Sequence, residues 1–408
     1  MTIPAHRTPK PYWLTFLLLC GIAACDAPDS DLPLIVQRDS AGIRIIEAMR
    51  PLWGDSSLWS LDPQPLLDLT LSGSGPGHEF FRVRGLTQRA DGALVLANRG
   101  AQEIRLYSPE GEFLGAMGGR GQGPGEFSNL QRLKLVGDTV VVLDYDGRVT
   151  VVGPDMELVR TFTLPHNVQD LHPLGDGTML GESTVWAGLE EVVNQLIRPP
   201  LALVRFDLDG AWIDSLGVRP GRESYSFSYE DNAGTGPALF AKIGQVAALG
   251  SRVFYGSSDL MQVEELDPAG DITRILRIPD YPLDLSAAQV AAERASRLEV
   301  DLPPGMTLPP WMRRTVEALP APATRPAYAE MLVDPSGAVW LELFRAGIEQ
   351  EQPQEWLILD ADGTWLGTVE VPDRFSVTDI TMDAVLGVWR DELDIEHPQV
   401  LRLTRDGA

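Results

Sequence analysis

An all-β fold built from one repeated unit is what this 408-residue sequence predicts, and three observations predict it. Gly73-Ser74-Gly75-Pro76-Gly77-His78-Glu79-Phe80 returns as Gly121-Gln122-Gly123-Pro124-Gly125-Glu126-Phe127, about 47 residues later, an interval that suits one blade of a β-propeller. A tight turn followed by an apolar run recurs six times along the chain. The 39 Gly and 32 Pro supply turn-formers throughout without low complexity, which fits many short strands better than long helices. The expected architecture is a six-bladed β-propeller closed by an N-terminal strand, with short helical insertions.

The first residues read as an export signal. His6, Arg7 and Lys10 form a basic head, Trp13-Leu14-Thr15-Phe16-Leu17-Leu18-Leu19 an apolar run, and Ile22-Ala23-Ala24 lead to Cys25, a layout too short for a membrane span. Small residues with Cys directly after the cleavage point resemble the bacterial lipoprotein lipobox. That resemblance implies residues 1–24 as signal peptide, Cys25 as the lipidated first residue, and an exported protein held to a membrane facing the periplasm or cell surface. Cys20 fits less well behind bulky Leu18 and Leu19. An ordinary cleaved signal with an incidental cysteine is the plainer alternative. Residues 25–34, acidic and Pro-bearing, read as a tether, and 35–408 as the propeller. The only two cysteines are Cys20 and Cys25, so no disulfide can staple the domain, which must be held by its core and by ring closure.

Taken in order, Leu34-Ile35-Val36 and Ile43-Arg44-Ile45-Ile46 flank Asp39-Ser40-Ala41-Gly42 as a hairpin. An orphan N-terminal strand needs a partner, so residues 43–47 are expected beside 399–404, closing the ring. The first turns of the six units are Asp91-Gly92, Gly137-Asp138, Asp176-Gly177, Gly250-Ser251, Ser336-Gly337 and Asp383-Ala384. Second turns follow at Pro109-Glu110-Gly111, Pro154-Asp155-Met156, Asp207–Gly210, Asp267–Gly270 and Asp360–Gly363, with Gly in most accepting the positive φ that such turns need. Two long gaps hold insertions. Leu189 to Leu196 reads as a short helix, Ser286 to Leu298 as a better one capped by Ser286, and Pro-rich 303–326 as an excursion that is not a blade.

Residues 98–127, with Ser108-Pro109-Glu110-Gly111, the strand Phe113-Leu114-Gly115-Ala116-Met117 and Gly123-Pro124-Gly125-Glu126-Phe127, resemble an NHL-type propeller repeat. The whole chain is similar to bacterial six-bladed β-propeller lipoproteins of that superfamily, sharply over 73–165 and only architecturally beyond. The resemblance implies a fold and not an activity. The motif's glycines and proline are expected to shape the crossover between blades, with Phe80 and Phe127 packing between them.

The formal charge of −25 argues against nucleic-acid partners. Asn98, Asp144, Glu182, Ser257, Glu342 and Asp391 each follow an apolar second strand, and equivalent units would place them in a ring at one channel mouth. Oxygen ligands converging from several blades suit Ca²⁺, with Asn98, Asp144, Glu182 and Glu342 as its ligands, and gluconolactonase- or paraoxonase-type propellers use such an ion as a Lewis acid. The plainer reading leaves these side chains as solvated strand ends, and no cofactor is required. His78, His166, His172 and His397 have no ligand spacing and read as filler. Trp186, Trp212, Trp311, Tyr225, Phe227 and Tyr229 gather partly in the insertions, either as packing or as a sugar or peptide surface. Two functions stay open: a lipid-anchored module binding a protein, small molecule or carbohydrate, or a divalent-metal-dependent hydrolase or lactonase at the channel mouth.

Overall fold

The computed structural model describes residues 32–54, 56–165, 167–189, 191–229, 231–299, 305–349 and 352–405; Cys25 and the residues before it lie outside them, as do His6 and His166. Six sheets follow one another along the chain, each with consecutive strands paired antiparallel. Sheet I is Val83–Gln88, Leu94–Asn98, Glu103–Tyr107 and Phe113–Gly118; sheet II is Leu130–Val136, Thr139–Asp144, Arg148–Val152 and Leu158–Thr163. Sheet III is Val168–Pro173, Thr178–Thr184, Pro200–Asp207 and Trp212–Pro220. Sheet IV contains Gln245–Leu249, Arg252–Gly256, Gln262–Leu266 and Ile272–Arg277; sheet V is Tyr328–Val333, Val339–Leu343, Gln354–Leu359 and Trp365–Val371. Sheet VI joins Phe375–Ile380, Ala384–Arg390 and Glu396–Arg405 to an N-terminal strand, Trp59–Leu61. The first strands of sheets I to VI touch in chain order, and that of sheet VI touches that of sheet I. This is a β-propeller arrangement, and all six first turns and five second turns fall where the sequence places them.

Burial explains why the second strand of each unit is a continuous apolar run. Leu94–Asn98 is buried at every position because both its faces meet neighbouring sheets, the condition under which alternation disappears. The outermost Phe113–Gly118 is half-buried or exposed throughout. One apolar cluster joins each neighbouring pair. Val95 and Phe127 lie between sheets I and II, Val141 and Leu171 between II and III, and Leu203 and Val246 between III and IV. Phe254 and Leu341 lie between IV and V, Trp340 and Val377 between V and VI, and Leu386 and Leu96 between VI and I. Phe127 is fully buried there, and Phe80 packs against the VI–I cluster.

The N-terminal strand beside the last sheet is not the predicted one. Ile43–Ala48 pairs in parallel with Ile272–Arg277 (Arg44 opposite Arg274) and extends sheet IV outward. Trp59–Leu61 instead pairs antiparallel with the last strand, Trp59 opposite Arg405 and Leu61 opposite Leu403. Apolar fit decides the matter. Ile46 is fully buried in the IV–V cluster, whereas Trp59 sits between Trp53 and Trp340, 5.5 and 5.8 Å away between ring centres. The Arg405 guanidinium lies 4.3 Å over its ring.

The insertions also differ in part. The Leu189–Leu196 segment is turn followed by strand: Gln195–Ile197 pairs with Ser224–Tyr229, which pairs with Asn232–Pro237, forming a small three-stranded sheet. The Ser286-capped helix α1 (Ala287–Ser296) is present with a full capping box, Ser286 and Gln289 satisfying each other's backbone. The Pro-rich stretch carries α2 (Pro310–Ala318). The small sheet and helices pack together through Tyr225, Phe240, Val290 and Leu319, and Phe227 stacks on Trp311, whereas Trp186 and Trp212 are exposed.

Trp59→Ala should destabilise the protein by about 3–5 kcal/mol, the usual cost of emptying a buried Trp site. Alanine at exposed Leu71 should stay within about 0.5 kcal/mol. Urea denaturation of both variants checks this.

Candidate functional site

The first strands of all six sheets line a cavity of about 770 Å³. Five of these pairings carry a register shift, at Val83/Gly85, Leu143/Asp144, Val168/Asp170, Tyr328/Glu330 and Val377/Asp379. A bulge re-aims side chains and is common beside functional sites. Here Arg132, Asp170, Glu330 and Asp379 come at or just beyond the bulge, and all line the cavity.

The wall carries a charge network. Arg132 donates Nε–H to Asp170 Oδ2 at 2.8 Å, and Lys134 Nζ lies 3.9 Å from Oδ1. Burial alone would raise the Asp170 pKa, but Lys134, His172 and Arg132 outweigh it and hold the carboxyl well below its usual range. Next to it, His172 Nε2 is 2.6 Å from Glu182 Oε1. The donor atoms of Asp170, His172 and Glu182 all lie within 4.8 Å of one another. Across the cavity Glu330 behaves oppositely. Burial, reinforced by neighbouring Glu342, pushes it up to about 7 against the pull of Lys134 and Arg132. Asp379 is also raised by burial, although Thr87 Oγ1 at 2.5 Å and the Ile380 N–H at 2.9 Å favour its charged form.

Of the six positions expected at a channel mouth, Glu182 lines this cavity and the other five stand outside its lining. Asn98 accepts from Phe81 N at 3.1 Å and donates to Glu79 O at 2.9 Å. Asp144 accepts from the N–H groups of Ser128 and Asn129 at 2.8 and 2.7 Å and pairs with Arg148. Phe81 and Ser128 each follow the motif's Phe, so Asn98 and Asp144 do the same work in successive units, pinning the crossover to the second strand. Glu126 similarly closes its own loop on Gly123 N at 2.8 Å. The Ser257 carbonyl accepts from Arg198 at 3.1 Å, Glu342 accepts from Gln354 at 2.7 Å, and Asp391 caps its turn through Leu393 N and Ile395 N.

The six are not equivalent in register. Asn98 opposes Val83 and Asp144 opposes Leu130, but the residue opposing Val168 is Ser183, and the one opposing Tyr328 is Leu343. Glu182 and Glu342 stand one residue earlier, and one residue along a strand reverses the face. His172 lies in a strand, as expected of filler, yet its ring contacts Glu182; His78 bonds Leu69 O at 2.8 Å, and His397 faces Asp68. The sequence does carry a signal for the missed groups: ionisable residues interrupt the first strand of several units, as in Arg132-Leu133-Lys134 and Asp170-Leu171-His172.

No family model matches the chain, and no curated protein resembles it in sequence. Solved structures do resemble it. A Bacteroides fragilis protein taken to be exported matches at 12% identity over 86% of this chain and 96% of its own, with a TM-score of 0.49. A DUF4221-family member from Bacteroides vulgatus matches at 11% over 85% and 98%, TM-score 0.49. Regucalcin, a calcium-binding protein from Agrobacterium tumefaciens, matches at 10% over 85% and 95%, TM-score 0.40. Fold and site are therefore read from this chain's own strands and side chains.

The raised Glu330 carboxyl has a stability consequence. Its folded pKa lies above the unfolded value of 4.5, so the unfolded state ionises first and stability falls as pH rises from about 4.5 to about 7, then levels. Glu330→Gln removes that term. The variant should match the wild type near pH 4.5 and exceed it at pH 8 by on the order of 3 kcal/mol, read from urea midpoints at the two pH values.

Proposed function

We propose that this chain is an exported, lipid-anchored six-bladed β-propeller that binds a small polar ligand in its central channel. The six sheets are its blades, Trp59–Leu61 completes the last blade and closes the ring, and residues 1–24 and 25–34 are the signal and the tether. The observation that carries the reading is the cavity itself. Its volume of about 770 Å³ is that of a ligand pocket, and its wall combines Arg84, Arg132, Lys134, Asp170, Glu182, Glu330 and Asp379 with Gln88, Gln169 and Thr378. Among the described residues no helix is long and apolar enough to cross a membrane, and the lipid on Cys25 supplies the attachment.

The ligand site is tested by filling it. Gln169 is exposed within the cavity, so Gln169→Trp occupies space without disturbing the core. In a thermal-shift screen of small polar metabolites, at least one compound should raise the wild-type Tm by about 2 °C or more and leave the variant unmoved. A compound shifting both equally binds elsewhere and counts against the channel. For the anchor, Cys25→Ser should move the protein from the membrane to the soluble fraction; retention in membranes removes the lipoprotein reading.

The second reading, a metal-dependent hydrolase, draws on Asp170, His172 and Glu182, whose donors are close enough to share an ion. The fit is poor, because Arg132 and Lys134 already stand against Asp170 where a cation would need that charge for itself. Asn98 and Asp144, the other ligands expected of a calcium site, are committed to backbone amides. Stabilisation by Ca²⁺, Mn²⁺ or Zn²⁺ that disappears in Glu182→Gln would favour this second reading over the first.

A further inference from the structure

Many arginines in this protein find a carboxylate. Arg105 pairs with Glu103, Arg205 with Asp214, Arg274 with Glu265, Arg325 with Glu349 and Arg405 with Asp334. With 58 Asp and Glu against 33 Lys and Arg, acid partners are not scarce. Two arginines that line the cavity depart from this pattern. Arg84 and Arg222 make no hydrogen bond or ion pair among the described residues, although both are open to the channel.

Their positions are built into the backbone. Arg84 is the extra residue of the bulge between Val83 and Gly85 on the first strand of sheet I. Its nearest charges are mostly of its own sign, Arg99, Arg132 and Arg82, with Glu396 the one acid; burial and these cations depress its pKa. Arg222 enters from the segment between sheets III and IV. It follows Gly221, where an added Cβ would lie 2.3 Å from Pro199 O and whose carbonyl accepts from Arg198 at 3.0 Å, so the backbone is clamped where the side chain leaves it. Burial alone lowers its pKa. Both guanidiniums face the channel with no protein counter-charge bonded to them, so their donors are free to meet an anion supplied from solution.

We propose that the channel takes an anionic ligand, a carboxylate or a phosphate on a small polar molecule, recognised by Arg84 and Arg222 on its wall. This rests on the channel-binding reading above and names its ligand class. The planar guanidinium fork matches carboxylate and phosphate oxygens in bidentate fashion. Among the described residues no Phe, Tyr or Trp lines the cavity, so a neutral sugar or flat ring finds no stacking face there. A cationic ligand is disfavoured because Asp170 is already held by Arg132 and Lys134. Glu330 modulates the site. It is faced by Glu342 from its own sheet, Arg132 and Lys134 from sheet II and Asp170 from sheet III, and losing its proton adds negative charge to the wall, so oxyanion affinity falls as pH rises through about 7.

The test is isothermal titration of the detergent-solubilised full chain with succinate, inorganic phosphate, erythritol and putrescine at pH 6.5 and 8. At least one anion should bind with a Kd below about 1 mM, weaken about tenfold or more in both Arg84→Gln and Arg222→Gln, and bind more tightly at pH 6.5. Succinate ahead of phosphate identifies a carboxylate ligand, and the reverse order a phosphate. Both side chains are open and unpaired, so the variants should keep the wild-type Tm and report on binding. Anion binding weaker than 1 mM, or unchanged in either variant, overturns the proposal. Erythritol or putrescine binding that Gln169→Trp abolishes would overturn it while leaving the channel-binding reading intact, and binding of none of the four would count against both.

Discussion

The fold depends on sharing one apolar cluster between each pair of neighbouring sheets. A four-stranded sheet of this size cannot bury both its faces alone, and with no cysteine after Cys25 there is no covalent staple to compensate. Each sheet is therefore stable only between two others, which leaves the first and last in need of one another. The VI–I cluster around Leu386 and Leu96 meets that need on the faces, and Trp59–Leu61 meets it along the edge of the last strand. An exposed strand edge would invite pairing with another chain; here three residues and one aromatic side chain cover it.

That architecture leaves the first strand of each sheet at the centre, where it can be spared from packing. Bulges use this freedom. Where the ladder slips by one residue, charged side chains such as Asp170 and Glu330 enter strands that also carry buried Val168, Leu171 and Met331. The resulting wall holds two carboxyl groups in opposite states. Asp170 is kept ionised by Arg132 and Lys134, while Glu330 is held near neutrality by burial and by Glu342. Such a divergence among neighbouring carboxyls arises where a site is arranged around charge.

Much of the architecture was legible in the sequence because turns are local. Asp91-Gly92 or Asp360–Gly363 can be recognised from the residues themselves, and Phe80 and Phe127 declare their interblade role through the repeat. Ser286 with Gln289 likewise announces α1 within a few residues. What was not legible depended on comparison across the fold. The strand Trp59–Leu61, which pairs with the last strand, is too short to show any period, and its choice over Ile43–Ala48 lies in a Trp cluster assembled from residues nearly three hundred apart. The ring of Asn98, Asp144, Glu182, Ser257, Glu342 and Asp391 assumed units of equal register. In sheets III and V the selected residue stands one position early; Glu182 lines the cavity, Glu342 accepts from Gln354, and Asn98 and Asp144 hold loops.

The chain's overall acidity, formally −25, bears on the channel less than its size suggests. At physiological ionic strength charges separated by more than about 8 Å of solvent are largely screened, so carboxylates on the outer strands are weakly felt at the centre. Groups on the channel wall act over shorter distances, and there Arg84, Arg132, Lys134 and Arg222 meet four acids: Asp170 is paired with Arg132 and Lys134, Glu182 lies against His172, and Glu330 and Asp379 hold protons more tightly than usual. The acidity of the outer strands and the mixed charge of the cavity wall are in this way electrostatically separate, and the bulges that expose the inner strands are the structural means of separating the two.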